Sequence, residues 1–410
     1  MRVAFLVSTF PKLSETFILN QITGLLDAGH DVTIFAQRRP ETELQHSVVD
    51  EYALLDRTVY ADAPSSYAEV LALLSDIARH HPDAIPHVIE SIRRGKAGGE
   101  RLANLRLLLD RSDLSTYDVL HGHFGTTCLS FDFLLTDDRF GVASDIPFVT
   151  SFYGYDVSEV LSRDPDTYAT LFPHCDAVTA LSDDMMEKLA DAGCPTDKIV
   201  KQQLAIDTEQ YQFSLRHRPA DGPIEVFTIA RFTEKKGLRY AVDAIAQLTT
   251  EYDISYRIAG DGPLRERIES RIDRRGIGDA VETLGWVDQA TIKRELANAH
   301  VFLLPSVTAS DGDQEGTPTV LLEAQATGLP VVSTYHAGIP EIVDDGESGI
   351  LVPERNVDAL ADGLRMLFDS PDRWSRMGRR GRELVEQSHS IPAMTRRLEL
   401  LYRRLSESGE

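Results

Sequence analysis

Two glutamates, Glu315 and Glu323, flank a helix-start signal in the segment EGTPTVLLE. Thr317 is a residue type that caps helices, and Pro318 fits the first helical position, where its missing N–H costs nothing. Side chains on a helix lean towards its N-terminus, so both carboxylates can face one molecule bound there. Because carboxylates accept hydrogen bonds from hydroxyl groups, the pair predicts a ligand that is rich in hydroxyls.

The start of the same helix predicts a phosphate site. The N–H groups of Thr319 and Val320 have no partner inside the helix and lie at the positive end of its dipole, an arrangement that binds phosphate. A molecule with phosphate between two sets of hydroxyls is a nucleotide-sugar, which carries ribose at one end and a sugar at the other. We therefore expect the loop and helix, including Gly316 and Thr317, to bind a nucleotide-sugar donor.

The elements around this helix are those of a parallel sheet. An apolar run at 299–306 precedes the loop, Gly328 and Pro330 mark the helix end, and a second apolar run follows at 330–334. Strand, loop, helix and strand in this order predict a parallel α/β unit with both faces covered. The loop then lies at the carboxyl end of its strand, where open α/β sheets bind ligands.

This segment resembles the signature of the retaining glycosyltransferases of family 4, and the resemblance is strongest over 224–352. It implies an α/β protein of GT-B architecture. Two Rossmann-like domains face a deep interdomain cleft, and a C-terminal helix crosses back to the N-terminal domain. On this resemblance Glu323 holds the ribose and Glu315 holds the hydroxyls of the transferred sugar.

The resemblance also divides the chain into domains. We expect an acceptor-side Rossmann-like domain at 1–210, a polar linker at 211–222 and a nucleotide-sugar-binding domain at 223–385. Residues 386–410 are expected to form the helix that packs back on the first domain.

Two cations, Arg231 and Lys236, follow the first predicted strand of the second domain in the segment IARFTEKKG. This element resembles the arginine and lysine–glycine pair of the family. Glycosyl transfer expels a nucleoside diphosphate, and fixed cations at a strand end stabilise the departing charge. Arginine grips two oxygens at once, whereas lysine acts as a point charge. Lys235 is adjacent, and whether it shares this task stays open.

We expect no metal ion or other cofactor, because the cation pair fills the role that a metal would have. The segment Asp311-Gly312-Asp313 looks like a metal-binding DxD motif, and we interpret it as a solvated loop. The family pattern implies front-face transfer assisted by the leaving phosphate, without a protein nucleophile.

His123 and Tyr153 end two apolar runs of the first domain, DVLHGHFG and PFVTSFYGYD. In the family a histidine of the first loop reaches the donor sugar, and His123 matches it. Relatives often carry a second histidine where this chain has Tyr153, which donates a hydrogen bond but cannot become cationic near pH 7. We expect Tyr153 to lie at the donor site, and its role there stays open. His121 fits a core position.

The chain opens with a predicted strand at 2–8 and the segment FPKLSETF, which is similar to the exopolysaccharide branch of the family. Ser14 fits a helix cap, with Glu15 in the first turn. The resemblance places Ser14, Glu15 and Thr16 in an acceptor-side loop, and an ordinary capped helix is the open alternative.

Trp286 follows a predicted strand near which the backbone of relatives meets the donor base. Its indole can stack on that base, and packing in the core explains it equally well.

Six basic residues cluster between 93 and 111. A solvated helix face and a patch for anionic lipid headgroups are both open explanations. They are Arg93, Arg94, Lys96, Arg101, Arg106 and Arg111.

The composition is that of a soluble globular protein, with 410 residues, 42% hydrophobic and 26% charged. The net charge of −23 argues against general nucleic-acid binding; whether it reflects a high-salt organism is open. No apolar run reaches membrane-spanning length, and the opening lacks a basic n-region and a cleavage site. We therefore expect a cytoplasmic protein, with peripheral contact to the inner face of the membrane as an option.

The predicted function is retaining transfer of a hexosyl unit from a UDP- or GDP-sugar to a hydroxyl of a sugar or lipid-linked saccharide. Polysaccharide or glycolipid biosynthesis is the expected setting. One alternative is a nucleotide-sugar epimerase or phosphorylase on the same fold, although no paired acid and base carboxylates can be assigned for an epimerase. Another is a non-catalytic sugar-nucleotide-binding protein, against which the intact charged residues argue. No G-x-G-x-x-G follows the first strand, which disfavours an NAD enzyme.

Overall fold

The computed structural model describes residues 1–41, 45–62, 64, 66–93, 99–105, 114–131 and 146–408. The chain forms two compact units. The first comprises Met1–Ala180, Met186–Gln202 and Thr395–Glu410, and the second Leu181–Met185 and Gln203–Met394.

A parallel sheet forms the centre of the first unit. Its strands are β1 (Arg2–Thr9), β2 (Asp31–Arg38), β3 (Thr58–Tyr60), β4 (Val119–His123), β5 (Phe148–Ser151), β6 (Ala177–Ala180) and β7 (Ile199–Lys201). Their order in the sheet is β3-β2-β1-β4-β5-β6-β7, and every pairing is parallel. The order reverses between β1 and β4, the switch point at which such sheets bind ligands.

Helices connect these strands. They are α1 (Thr16–Asp27), α2 (Ser47–Glu51), α3 (Tyr67–His80), α4 (Ile85–Arg93), α5 (Gly125–Cys128), α6 (Leu161–Arg163) and α7 (Asp183–Asp191). In α1, Ile18, Ile22 and Leu25 are buried in an apolar core that they share with residues of β1 and β2.

The second unit contains a second parallel sheet. Its strands are β8 (Ile224–Ile229), β9 (Ile254–Ala259), β10 (Val281–Gly285), β11 (Val301–Leu304), β12 (Val331–Thr334) and β13 (Gly349–Val352). They lie in the order β10-β9-β8-β11-β12-β13. Two parallel sheets with reversing strand order confirm the predicted pair of Rossmann-like α/β domains.

The helices of this unit are α8 (Leu238–Leu248), α9 (Arg265–Arg275), α10 (Gln289–Asn298), α11 (Thr319–Ala326), α12 (Val357–Asp369) and α13 (Trp374–Ser388). The last helix, α14 (Ile391–Ser408), belongs to the first unit from Thr395 onward. There Leu398, Leu401 and Tyr402 join the apolar core built around β1. Among the described residues, no helix is both long and apolar enough to cross a membrane.

Residues 99–105 are also helical. Short 3₁₀ or π turns lie between the longer elements. They are Leu54–Arg57, Pro82–Ala84, Leu114–Thr116, Leu129–Phe131, Asp156–Val160, Phe172–His174, Thr196–Lys198, Thr208–Gln210, Glu234–Lys236, Ile339–Glu341 and Pro371–Arg373.

The predicted linker at 211–222 lies within the second unit, whose main segment begins at Gln203. Arg382 of α13 explains why this segment is held there. Its guanidinium donates hydrogen bonds to the carbonyls of Thr208, Tyr211 and Ala326 at 2.9–3.1 Å. The start of the predicted linker is thus fastened to the second unit.

Two predicted helix caps are wrong. Glu15, not Ser14, stands at the cap position of α1, and its carboxylate bonds to Lys12 rather than to the helix. Pro318, not Thr317, stands at the cap position of α11, because its backbone is extended at φ −71° and ψ 102°. Both helices therefore begin later than the cap residues predicted.

Candidate active site

Glu315 and Lys236 form a buried ion pair in the second unit. Glu315 Oε1 lies 2.6 Å from Lys236 Nζ, with 7% and 15% of the two side chains exposed. The Ser306 hydroxyl donates to the same carboxylate oxygen at 3.3 Å. Burial raises the pKa of Glu315, but the charges of Lys236 and Lys235 outweigh it, so the pKa is lowered. Glu315 is therefore an ionised carboxylate with a fixed counter-charge at neutral pH.

Gly237 makes this pairing possible. It follows Lys236 at the start of α8 with φ +63°, a left-handed conformation that suits glycine. A Cβ atom at this position would lie 1.8 Å from the carbonyl oxygen of Pro305. Only glycine lets the lysine turn approach the loop that carries Glu315.

Arg231 and Lys235 differ from Lys236 in what they contact. The Arg231 residue, just beyond β8, is exposed, and its side chain has no hydrogen-bond or ion-pair partner within the described part of the chain. Lys235 Nζ bonds to Asp313 at 3.0 Å and to the carbonyl of Gln314 at 3.2 Å. Arg231 is thus available to a ligand, whereas Lys235 holds the loop.

The predicted DxD-like loop is engaged by protein groups. Asp313 pairs with Lys235, and the N–H of Asp313 donates to the Asp311 carboxylate at 3.1 Å. Across the described ranges, no three metal-ligating side chains converge.

Glu323 lies in α11 and accepts a hydrogen bond from the Tyr211 hydroxyl. Burial raises the pKa of Glu323 to about 7, against the opposing effects of this bond and of the Lys293 charge. Both the neutral and the ionised carboxyl are therefore populated near neutral pH. Tyr211 was not predicted from the sequence, since it lies in the expected linker.

Four further predicted donor residues lie in the loop that carries Glu315 or at the start of α11. Thr319 and Val320 begin α11, and Gly316 and Thr317 lie in the loop before it. Trp286 follows β10 with 75% of its surface exposed, so the alternative of core packing is wrong.

In the first unit, His123 and Tyr153 contact each other at the ends of β4 and β5. His123 is fully buried, and its Nδ1 lies 2.8 Å from the Tyr153 oxygen. Burial and then neighbouring His121 lower the pKa of His123 well below its ordinary value. Its Nε2 is buried and has no partner among the residues that the structure describes. A neutral imidazole with an unpaired nitrogen is suited to a ligand hydroxyl.

His121 is the core histidine that its position predicted. Its Nδ1 lies 2.6 Å from the Tyr402 oxygen of α14 and its Nε2 2.7 Å from the Ser151 oxygen. Burial lowers its pKa to about 3, and its ring stacks on His123 at 4.4 Å. His121 is therefore a neutral ring that packs against the imidazole of His123.

The predicted acceptor-side loop contains a buried carboxylate. Glu15 is 7% exposed and pairs with Lys12 at 2.5 Å. Burial raises the pKa of Glu15 in spite of this lysine. Ser14 is exposed and Thr16 is half-buried beside it.

The basic cluster is not one solvated face. Arg101 is 3% exposed and donates to the His87 carbonyl and the Ser91 hydroxyl, both at 2.8 Å. Arg93 is exposed. The remaining members lie outside the described residues: Arg94, Lys96, Arg106 and Arg111.

His336 and Glu354 contact the Glu315 loop and were not predicted from the sequence. Each follows a buried strand, β12 or β13, by two residues. Polar residues just beyond apolar strand runs reach the ligand-binding edge of the sheet, and this signal could have found them.

Comparison with known families identifies both halves of the chain. Residues 14–201 match the family described as glycosyl transferase 4-like domain. Residues 211–384 match the family described as glycosyl transferases group 1.

Two relatives match along most of their length. The putative colanic acid biosynthesis glycosyltransferase WcaL of Salmonella typhimurium is 36% identical, over 97% of this chain and 98% of the relative. The amylovoran biosynthesis glycosyltransferase AmsK of Erwinia amylovora is 34% identical, over 88% of this chain and 89% of the relative.

Solved structures share the fold. Anabaena HepE, solved in complex with UDP and glucose, superposes with a TM-score of 0.71 at 15% identity, over 98% of this chain and all of HepE. Sucrose-phosphate synthase of Thermosynechococcus elongatus also gives 0.71, at 19% identity over the full length of both chains. These likenesses confirm the GT-B fold. The family matches and the two relatives show that the chain is a glycosyltransferase of this family, in the branch that contains the colanic acid and amylovoran enzymes.

Proposed function

We propose that this glycosyltransferase moves a hexosyl unit from a UDP- or GDP-sugar to a saccharide hydroxyl in polysaccharide biosynthesis, with retention and without a metal ion. The observation that carries the proposal is the buried Lys236–Glu315 pair, with the unpaired Arg231 in the same loop after β8. WcaL and AmsK are named for exopolysaccharides, and HepE was solved with UDP-glucose.

The positive groups suit a diphosphate. Arg231 grips phosphate oxygens through two N–H groups, and Lys236 adds a fixed charge. The first N–H groups of α11, on Thr319 and Val320, bind the same anion. This set stabilises the negative charge that develops as the sugar leaves.

The carboxylates suit hydroxyls rather than covalent attack. One oxygen of Glu315 already accepts from Lys236 and Ser306, which weakens it as a nucleophile. It binds the hydroxyls of the transferred sugar, while the leaving phosphate takes the proton of the incoming hydroxyl on the same face. Glu323 binds the ribose, and Trp286 stacks on the base. His123 binds a sugar hydroxyl through Nε2, and Tyr153 fixes the opposite side of its ring.

The donor can be tested before the acceptor is known, because glycosyltransferases transfer slowly to water. The protein is incubated with UDP- and GDP-hexoses, and the first hexose released is followed by NMR. We expect one donor to react, with release of the same anomer and a rate unchanged by EDTA. Release of the opposite anomer would contradict retention, and hydrolysis of neither class of donor would contradict the proposal.

Glu323 predicts a pH dependence of nucleotide binding. Ribose hydroxyls donate to the ionised carboxylate, and its pKa of about 7 means that binding releases protons near neutrality. Affinity for the nucleoside diphosphate is expected to fall by up to about tenfold per pH unit below pH 7. Calorimetry in two buffers of different ionisation enthalpy measures the released protons.

Glu323→Gln should remove the pH slope between about pH 6 and 8. The control is Glu282→Gln, which changes an exposed carboxylate of β10 and should keep the wild-type slope. If nucleotide affinity in Glu323→Gln kept the wild-type pH dependence, the proton released on binding would come from another group.

We further propose a cytoplasmic location with peripheral contact to an anionic membrane surface. Helices α3 and α4 each expose two large apolar residues four positions apart: Tyr67 and Leu71 at 83% and 56%, Ile85 and Ile89 at 41% and 46%. Such stripes suit a helix lying in a lipid interface. Co-sedimentation with anionic vesicles should be lost when Leu71 and Ile89 are both changed to Ser. Unchanged vesicle binding in that variant would contradict a membrane contact through α3 and α4.

A further inference from the structure

The loop at 305–318 has to hold Glu315 in place without regular secondary structure. It leaves the carboxyl end of β11 and ends where α11 begins. The contacts to Lys236 and Ser306 involve the Glu315 side chain, and Lys235 holds the carbonyl of the preceding residue, Gln314, so none of them holds the Glu315 N–H. A displacement of about 1 Å at a catalytic group can cost on the order of 100-fold in rate. The backbone at Glu315 itself therefore needs a further support.

His336 supplies this support. The backbone N–H of Glu315 donates to His336 Nε2 at 3.0 Å, and the His336 side chain is fully buried. A nitrogen that accepts a hydrogen bond carries no proton, so the ring proton lies on Nδ1. Nδ1 lies 2.6 Å from Glu354 Oε1 and donates to it. The contacts thus define the tautomer of His336.

Glu354 holds the other end of the same loop. Its second oxygen, Oε2, accepts the backbone N–H of Thr308 at 2.8 Å. One carboxylate therefore anchors the start of the loop directly and its end through His336. Both residues stand just beyond β12 and β13, which pair in parallel register and form a rigid base.

We propose that His336 and Glu354 are positioning residues that act on transfer through the backbone of Glu315. This inference rests on the proposed function of Glu315 and assigns neither residue a contact with the substrate. The Glu354 carboxylate orients the buried His336 ring, whose unprotonated Nε2 accepts the Glu315 N–H. This contact sets the position of Glu315 relative to Lys236. The pair should therefore affect the chemical step and leave nucleotide binding unchanged.

Two substitutions at one position separate this role from general destabilisation. The amide oxygen of Gln can replace Nε2 and accept the Glu315 N–H, whereas the shorter Asn cannot reach it. His336→Asn is expected to lower kcat about 10–100-fold, with KM for the donor and Kd for the nucleoside diphosphate unchanged. His336→Gln should retain most of the wild-type kcat.

The matched control is His300→Gln. His300 Nδ1 also accepts a backbone N–H, from Glu225 at 2.9 Å, but it precedes β11 at the opposite edge of the sheet. This variant should lower thermal stability without changing kcat. Wild-type kcat in His336→Asn, or equal losses in the Asn and Gln variants, would overturn the inference.

Amide hydrogen exchange supplies a readout that needs no activity. His336→Asn should speed exchange of the Glu315 amide and the surrounding loop, and His336→Gln and His300→Gln should not. If the wild type transfers no sugar but exchange responds in this way, the proposed function fails and the positioning role stands. If transfer occurs and exchange does not respond, the positioning role fails alone.

Discussion

Lys236→Ala is expected to lower the kcat of glycosyl transfer roughly 100–1,000-fold and the free energy of unfolding by about 3–5 kcal/mol. Both effects follow from one contact, the 2.6 Å bond between Lys236 Nζ and Glu315. Without the lysine, Glu315 remains buried as an uncompensated charge. The departing diphosphate also loses a fixed cation, a change that costs roughly 100–1,000-fold in kcat.

A double variant separates the two effects. Lys236→Met combined with Glu315→Gln removes both charges, so stability should largely return while transfer stays lost. Lys235→Ala is the matched control, because its pair with Asp313 is partly exposed and should contribute about 0–1 kcal/mol. Urea unfolding and donor turnover measure the two effects. Wild-type stability in Lys236→Ala would show that the pair is not formed in solution.

Glu315→Gln is expected to lower transfer about 100–1,000-fold while nucleoside diphosphate still binds. Glutamine keeps the shape of the side chain but loses its charge and one acceptor oxygen. Lys236 then has no counter-charge, so its attraction for a diphosphate should not weaken. Calorimetry and turnover on the same preparation give binding and rate.

This pattern differs from that expected for Lys236→Ala, in which nucleotide binding falls together with the rate. Turnover of Glu315→Gln within a few fold of wild type would show that the carboxylate is not needed for transfer. A loss of binding that matched the loss of rate would place Glu315 at the nucleotide instead of the sugar.

The sequence predicted where the site residues lie because strand ends and helix starts leave local signals. Apolar runs, glycines and prolines located β8, β11 and α11, and parallel sheets bring such ends to one edge. The exact helix starts were missed because the Glu15 carboxylate bonds to Lys12 and Pro318 adopts an extended backbone. Tertiary contacts of this kind override local capping preferences.

The pairing of Lys236 with Glu315 could not be predicted from the sequence. It depends on the close approach of Gly237 to the Pro305 carbonyl, which is a contact between distant segments. The burial of Arg101 depends in the same way on acceptors from α4. Charged residues are exposed by default, so exceptions appear only when the packed structure supplies their partners.

Nucleotide binding with and without chelator distinguishes a diphosphate site built from cations of this chain from one that needs a metal ion. Calorimetry would compare UDP and GDP in EDTA and in Mg²⁺, for the wild type and for Arg231→Ala. We expect one nucleotide to bind with a Kd that EDTA leaves within about twofold. Arg231→Ala should weaken binding about 10–100-fold, which corresponds to the loss of a hydrogen bond to a charged group. Binding that requires Mg²⁺ and is unchanged in Arg231→Ala would contradict it.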